Sequence, residues 1–139
     1  MTFISHNEEE TKNLGTRLGR KCKKGTVISL RGSLGSGKTV FAKGIAIALG
    51  IEEPIVSPTF TLIQEYEGTL SLYHMDLYRL EGVEDFALIG GEEFLYGDGV
   101  TLIEWSEKIE ELLPDTTIFV DIGIMPNQDR MIQIQGAEV

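Results

Sequence analysis

The sequence predicts an α/β domain with a mixed β-sheet, parallel at its centre, hairpins alongside and helices on its faces. Short β-branched runs alternate with stretches of helical periodicity, as in Thr26–Leu30 followed by Phe41, Ala42, Ile45, Ala46 and Leu49. The run Gly32-Ser-Leu-Gly-Ser-Gly-Lys-Thr39 lies between them and completes the pattern G-x-x-x-x-G-K-[ST]. Two further apolar runs end on acids, Leu70–Met75 on Asp76 and Val100–Ile103 on Glu104. Ligands of such sheets sit at the carboxyl ends of the strands. With 139 residues the chain is expected to form one domain over residues 1–139, a single-domain P-loop NTPase.

Taken in order, Thr2–Ile4 fits a short edge strand. Ser5 with Glu8 fits a capping box, and Leu14, Leu18 and Cys22 share one face of a helix expected to end near Lys23–Gly25. The strand entering the glycine-rich loop and the helix leaving it follow, and Gly50 sits where that helix would stop. Pro54 and Pro58 bracket a loop, Glu53–Thr59, that cannot be regular helix. Phe60–Tyr66 and Leu70–Met75 read as a hairpin turning at Glu67-Gly68. Gly90, Gly91, Gly97 and Gly99 break the stretch from Gly82 to Gly99 into two short helices. Val100–Ile103 is a compact buried strand, and Ser106 is placed to cap a short helix that turns Ile109, Leu112 and Leu113 inward before Pro114 stops it. Thr117–Ile124 and Met131–Gln135 form a second hairpin around Pro126–Asp129.

The composition narrows the function classes. A formal net charge of −10 argues against a broad basic surface for nucleic acid. Acid gathers late in the chain, at Glu92, Glu93, Asp98, Glu104, Glu107, Glu110 and Glu111, and is either a solvated face or a docking surface for a basic partner. The single cysteine, Cys22, excludes an internal disulfide and a cysteine-built metal site, and reads as a small packed residue at a helix end. No apolar run is long enough to span a membrane, and the first residues lack the features of a signal peptide, so a cytoplasmic location is expected.

The glycine-rich loop implies nucleoside triphosphate binding. Successive backbone N–H groups enclose the phosphates, and glycine lets the backbone approach closely. Residues Gly32, Ser33, Leu34, Gly35, Ser36, Gly37, Lys38, Thr39 and Val40 are the candidate nucleotide-binding set, with Lys38 on the β/γ-phosphates and the Thr39 hydroxyl on Mg²⁺. Hydrolysis needs a further metal anchor and a group that orients the attacking water. Asp76 and Glu104 are placed for this, or are strand-end acids facing solvent. His74 and Asp76 share a strand face, so His74 is either a structural histidine hydrogen-bonded near Asp76 or a catalytic base. Arg79 either pairs with an acid or contacts phosphate, and Thr59 either senses the γ-phosphate or satisfies loop backbone.

Several separated segments together resemble the TsaE (YjeE) family, the small ATPases of bacterial tRNA threonylcarbamoyladenosine synthesis. They are the loop 32–39, Ser57-Pro-Thr-Phe-Thr-Leu62, Tyr73-His-Met-Asp-Leu-Tyr-Arg-Leu80 and Leu102-Ile-Glu-Trp105. Ser33 stands where the family commonly has Asp, and Ser36 replaces a frequent Ala. The resemblance implies that Lys38 and Thr39 bind phosphate and magnesium, that Thr59 lies in a switch-like loop, that Asp76 and Glu104 serve metal and water, and that Trp105 lies beside the nucleotide. It further implies a slow, Mg²⁺-dependent ATPase that acts with carbamoyl-transfer proteins of the TsaD and TsaB type, and touches tRNA only through that complex. A GTP switch is disfavoured because no Asn/Thr-Lys-x-Asp element occurs. A small-molecule kinase would need a clamp of arginines, whereas Arg17, Arg20 and Arg31 all precede the loop. A passive nucleotide-binding module is the remaining alternative.

Overall fold

A computed structural model describes residues 1–58 and 62–139. The elements run β1 (Thr2–Ser5), α1 (Glu8–Gly19), β2 (Val27–Gly32), α2 (Lys38–Ala48), β3 (Ile63–Tyr66), β4 (Leu72–Asp76), α3 (Val83–Leu88), α4 (Glu92–Leu95), β5 (Val100–Glu104), a 3₁₀ helix (Ser106–Leu112), β6 (Ile118–Ile124) and β7 (Arg130–Gln135). The strands form one seven-stranded sheet in the order β1-β7-β6-β2-β5-β4-β3. Strands β6, β2, β5 and β4 pair in parallel, and antiparallel pairs flank them on both sides. The expected mixed sheet with a parallel centre and lateral hairpins is therefore present. Thr59 and the first part of the Phe60–Tyr66 strand lie outside the described residues.

Alternation along the central strands divides the core between the two faces of the sheet. Ile28 and Leu30 of β2 join Leu72, Leu102 and Val120 beneath α1 and α2, while Val27, Met75 and Ile103 pack with Phe86, Leu95 and Ile109 on the other face. All five residues of β5 are buried. Helices α1 and α2 approach closely because Gly15 and Gly44 face each other's backbone. A β-carbon on Gly15 would collide with the Phe41 carbonyl, and one on Gly44 with that of Lys12. The gap is also bridged by Thr16, whose hydroxyl donates to the Gly44 carbonyl at 3.0 Å. Phe41 is fully buried in this layer, a burial that contributes about 1.5–3 kcal/mol. The packing fixes α2, and with it the residues at its N-terminus.

Local chemistry corrects three expectations. The cap of α1 is Asn7, not Ser5: Asn7 is extended (φ −160°) and its side-chain oxygen accepts from Glu10 N at 2.8 Å. Ser5 ends β1 instead, with its hydroxyl 2.7 Å from Thr11 Oγ1. Helix α1 stops at Gly19 rather than near Lys23, because Lys21 N and Cys22 N bond to Leu18 O and Gly19 O in tighter 3₁₀-type turns. Cys22 thus lies just past the helix, half-buried, with burial pushing its thiol up to about 12. Ser106 does not cap its helix either. Its buried hydroxyl meets Ser29 Oγ at 2.6 Å, and Trp105 enters the turn in the left-handed region (φ 62°).

Candidate functional site

Strand β2 ends at Gly32 and α2 begins at Lys38, so the glycine-rich loop is the link between central strand and helix. Gly35 and Gly37 take φ values of 80° and 109°, a region that glycine occupies without a steric penalty. Gly37 is the N-cap of α2; it makes no side-chain cap bond, and no acidic residue occupies the first turn. That end of the helix is therefore suited to an external anion. Of the loop residues, Ser33, Leu34 and Gly35 are exposed, Ser36 is buried, and Gly37 to Val40 are half-buried. Leu34 stands almost entirely in solvent.

Lys38 and Glu104 converge at the carboxyl edge of the sheet. Lys38 Nζ lies 3.2 Å from Glu104 Oε1, and the other carboxylate oxygen lies 2.9 Å from His74 Nε2. The parallel register sets Glu104 opposite Asp76 and next to Leu30 of β2, which places the carboxylate directly under the start of α2. His74 is 1% exposed, and its Nδ1 has no hydrogen-bond partner. With Nδ1 unpartnered, Nε2 is the ring nitrogen that meets the carboxylate, and its N–H donates to Glu104. Burial on its own would raise the Glu104 carboxyl, but the His74 hydrogen bond and the charges of His74 and Lys38 outweigh it and hold the group below its usual 4.5.

His74 bonds to Glu104 and not near Asp76 as expected. Side chains two apart on β4 do share a face, but the parallel neighbour β5 brings Glu104 within reach of the His74 ring. Asp76 is turned to its own chain, with Oδ1 accepting from Tyr78 N at 3.0 Å, and it borders a small cavity with Pro58, Leu62, Tyr78 and Arg79. The Thr39 hydroxyl meets the Ser57 hydroxyl at 3.1 Å, so the Pro-rich loop touches the glycine-rich one. Trp105 is 41% exposed, borders a groove with Gly32 and Lys38, and packs its ring on Tyr78 at 5.0 Å between centroids. Lys38, Thr39, Glu104 and Trp105 thus gather around the loop, Asp76 stands one strand further out, and Thr59 lies outside the described residues.

Among the described residues no group of three or more His, Cys, Asp or Glu side chains is gathered to hold a metal by itself. A hydroxyl at Thr39 and a single near carboxylate at Glu104 instead suit Mg²⁺, which keeps waters and binds through one or two carboxylates plus substrate phosphates. Two features were not visible in the sequence. A cavity of about 160 Å³ opens beside the loop, bordered by Asn7, Thr11, Gly37, Val40 and Gln128. Arg130, at the start of β7, borders the same cavity and donates to the loop's carbonyls. Both depend on contacts between distant segments, and no local pattern marks them.

Residues 5–132 match the family model described as threonylcarbamoyl adenosine biosynthesis protein TsaE. A tRNA threonylcarbamoyladenosine biosynthesis protein TsaE of Treponema pallidum is 45% identical, covering 96% of this chain and 99% of that protein. The TsaE protein of Bacillus subtilis is 44% identical over 91% of this chain and 79% of its own. The crystal structure of Bacillus subtilis YdiB superposes with a TM-score of 0.81 at 40% identity, covering 96% of this chain and 83% of that one. The phosphate-type loop, its neighbouring carboxylate and these likenesses along nearly the whole chain lead to one assignment: the chain belongs to the TsaE family.

Proposed function

We propose that this chain binds ATP with Mg²⁺ and hydrolyses it as the ATPase subunit of tRNA threonylcarbamoyladenosine formation, working with carbamoyl-transfer proteins of the TsaD and TsaB type. The observation that carries this reading is the convergence of Lys38 and Glu104 at an uncapped helix N-terminus behind a glycine-rich loop. The N–H groups of the loop and of the first turn of α2 take the phosphates. Lys38 leaves Glu104 for the β/γ-phosphates, a change of partner that keeps its charge paired. Thr39 and Glu104 would hold Mg²⁺, with Asp76 as the more distant carboxylate. When bound, the metal would neutralise charge developing on the phosphate oxygens.

The reaction transfers the γ-phosphoryl group to water. The water oxygen bonds to phosphorus, the bond to the β–γ bridging oxygen breaks, and ADP leaves. Glu104, ionised at neutral pH, orients that water, and the water's protons leave on the released phosphate and to solvent. The cavity beside Val40, lined by Asn7 and Thr11, is the space for the nucleoside. The carbamoyl transfer and the contact with tRNA belong to the partners. A tRNA-modifying role gives the protein a cytoplasmic place of work, and among the described residues no helix is long and apolar enough to cross a membrane.

Phosphate release from ATP tests this. The wild-type chain should turn over slowly and only with Mg²⁺, and Lys38→Ala should bind ATP more weakly and release no measurable phosphate. Turnover in Lys38→Ala equal to wild type would remove the assignment of the loop.

A further inference from the structure

We propose that Arg130 is a positioning residue for the phosphate-binding loop, a fork that ties the loop's carbonyls down so that its N–H groups face the ligand. The inference rests on the reading of residues 32–39 as that loop. Arg130 Nε donates to Ser36 O at 2.9 Å and Nη2 donates to Gly35 O at 3.2 Å, while Nη1 donates to Gln128 O. Arg130 opens β7 and pairs with Ile124 of β6 and Ser5 of β1, so its backbone is held from both sides in the sheet. Ile132 and Ile134, two and four residues on, are fully buried with α1 and α2, and Arg130 therefore points to the same face, toward the loop.

The chemistry of the contact explains why an arginine is used. A peptide unit presents its C=O and the next N–H on opposite sides. Fixing the carbonyl of Gly35 on the Arg130 side holds the peptide whose N–H, on Ser36, closes the loop onto Ser33 O at 3.0 Å, and fixing that of Ser36 turns the Gly37 N–H away from Arg130. A guanidinium offers planar donors in a rigid fork and spans two neighbouring carbonyls, whereas an ammonium is a point donor. Gly35 and Gly37, both with positive φ, give this loop little stiffness of its own. Restraint supplied from β7 lowers the ordering cost that phosphate binding would otherwise carry.

Calorimetric titration of ATP into the whole chain tests the fork. Arg130→Ala should raise the dissociation constant about tenfold or more, the loss expected for charge-assisted hydrogen bonds. Arg130→Lys should weaken binding to a similar degree despite keeping the charge. Guanidinium ion at millimolar concentration should restore part of the affinity of Arg130→Ala and none of that lost in Lys38→Ala. Thermal melts should show both Arg130 variants folded, since β7 keeps its ladder. Wild-type affinity in Arg130→Ala would overturn the proposal, and so would full affinity in Arg130→Lys, which would leave charge as the whole contribution. Failure of the wild-type chain to bind ATP at all would remove the loop reading itself, a result distinct from either.

Discussion

Glu104 Oε1 lies 3.2 Å from the ammonium of Lys38, so the residue proposed to hold phosphate is occupied by the residue proposed to serve metal and water. The pair is largely screened from solvent, with side-chain exposures of 19% for Lys38 and 10% for Glu104. Nucleotide binding has to compete with this contact. The two proposed roles can therefore be separated by experiment, because removing the carboxylate charge frees Lys38 while depriving the chemistry of its acid.

Glu104→Gln keeps the shape and removes the charge. Measured without Mg²⁺, its affinity for ATP should equal or exceed that of the wild type, since Lys38 no longer has an anionic competitor. Turnover with Mg²⁺ should fall at least about 100-fold. Asp76→Asn should have the milder effect, because Asp76 lies one strand further from Lys38 and already bonds Tyr78 N. Calorimetry and phosphate release on both variants decide this. Normal turnover in Glu104→Gln would sink the assignment of the acid.

The His74 hydrogen bond helps to hold that acid below its usual range, and its effect is readable as stability. His74→Phe leaves Glu104 Oε2 without its donor and should lower unfolding free energy by about 1–3 kcal/mol. Glu104 is held below 4.5 in the folded chain, so the unfolded state binds its proton first as pH falls. The stabilisation it contributes is fully present above 4.5 and disappears as pH drops through the folded value. Urea unfolding should therefore show a gap between wild type and Glu104→Gln that is constant near neutrality and narrows in acid. A gap that widens in acid would contradict the hydrogen-bond assignment.

Much of this arrangement was legible because it is local. Strand, loop and helix around Lys38 follow from periodicity and glycine placement, and the acids at 76 and 104 from apolar runs that end on charge. What escaped was set by pairing across the sheet. The partner of His74 depended on the neighbour of β4, and a single sequence showed Asp76 two residues away but not Glu104 thirty away. Arg130 escaped for the same reason, being 94 residues from Ser36. At Ser5 and Asn7 two capping residues competed, and the one already committed to β1 lost.

The net charge of −10 and the exposed acids Glu92, Glu93, Glu107, Glu110 and Glu111 give tRNA phosphates little to bind. Non-specific affinity comes from counterions released by Lys and Arg contacts, so the isolated chain should show negligible tRNA binding at physiological salt. Partner proteins should raise its ATPase rate. Stimulation requires that they bind the competent state more tightly than the resting one. The resting state has a definite feature on which to act, since Lys38 is paired with Glu104 and Thr39 with Ser57. Docking that shifted the loop bearing Ser57, or the edge carrying Tyr78 and Trp105, would bias both contacts at once. Phosphate release measured with and without TsaD- and TsaB-type proteins should show a rise that Glu104→Gln abolishes. Tight tRNA binding by the lone chain, together with a rate indifferent to those proteins, would instead make it a free-standing nucleic-acid enzyme.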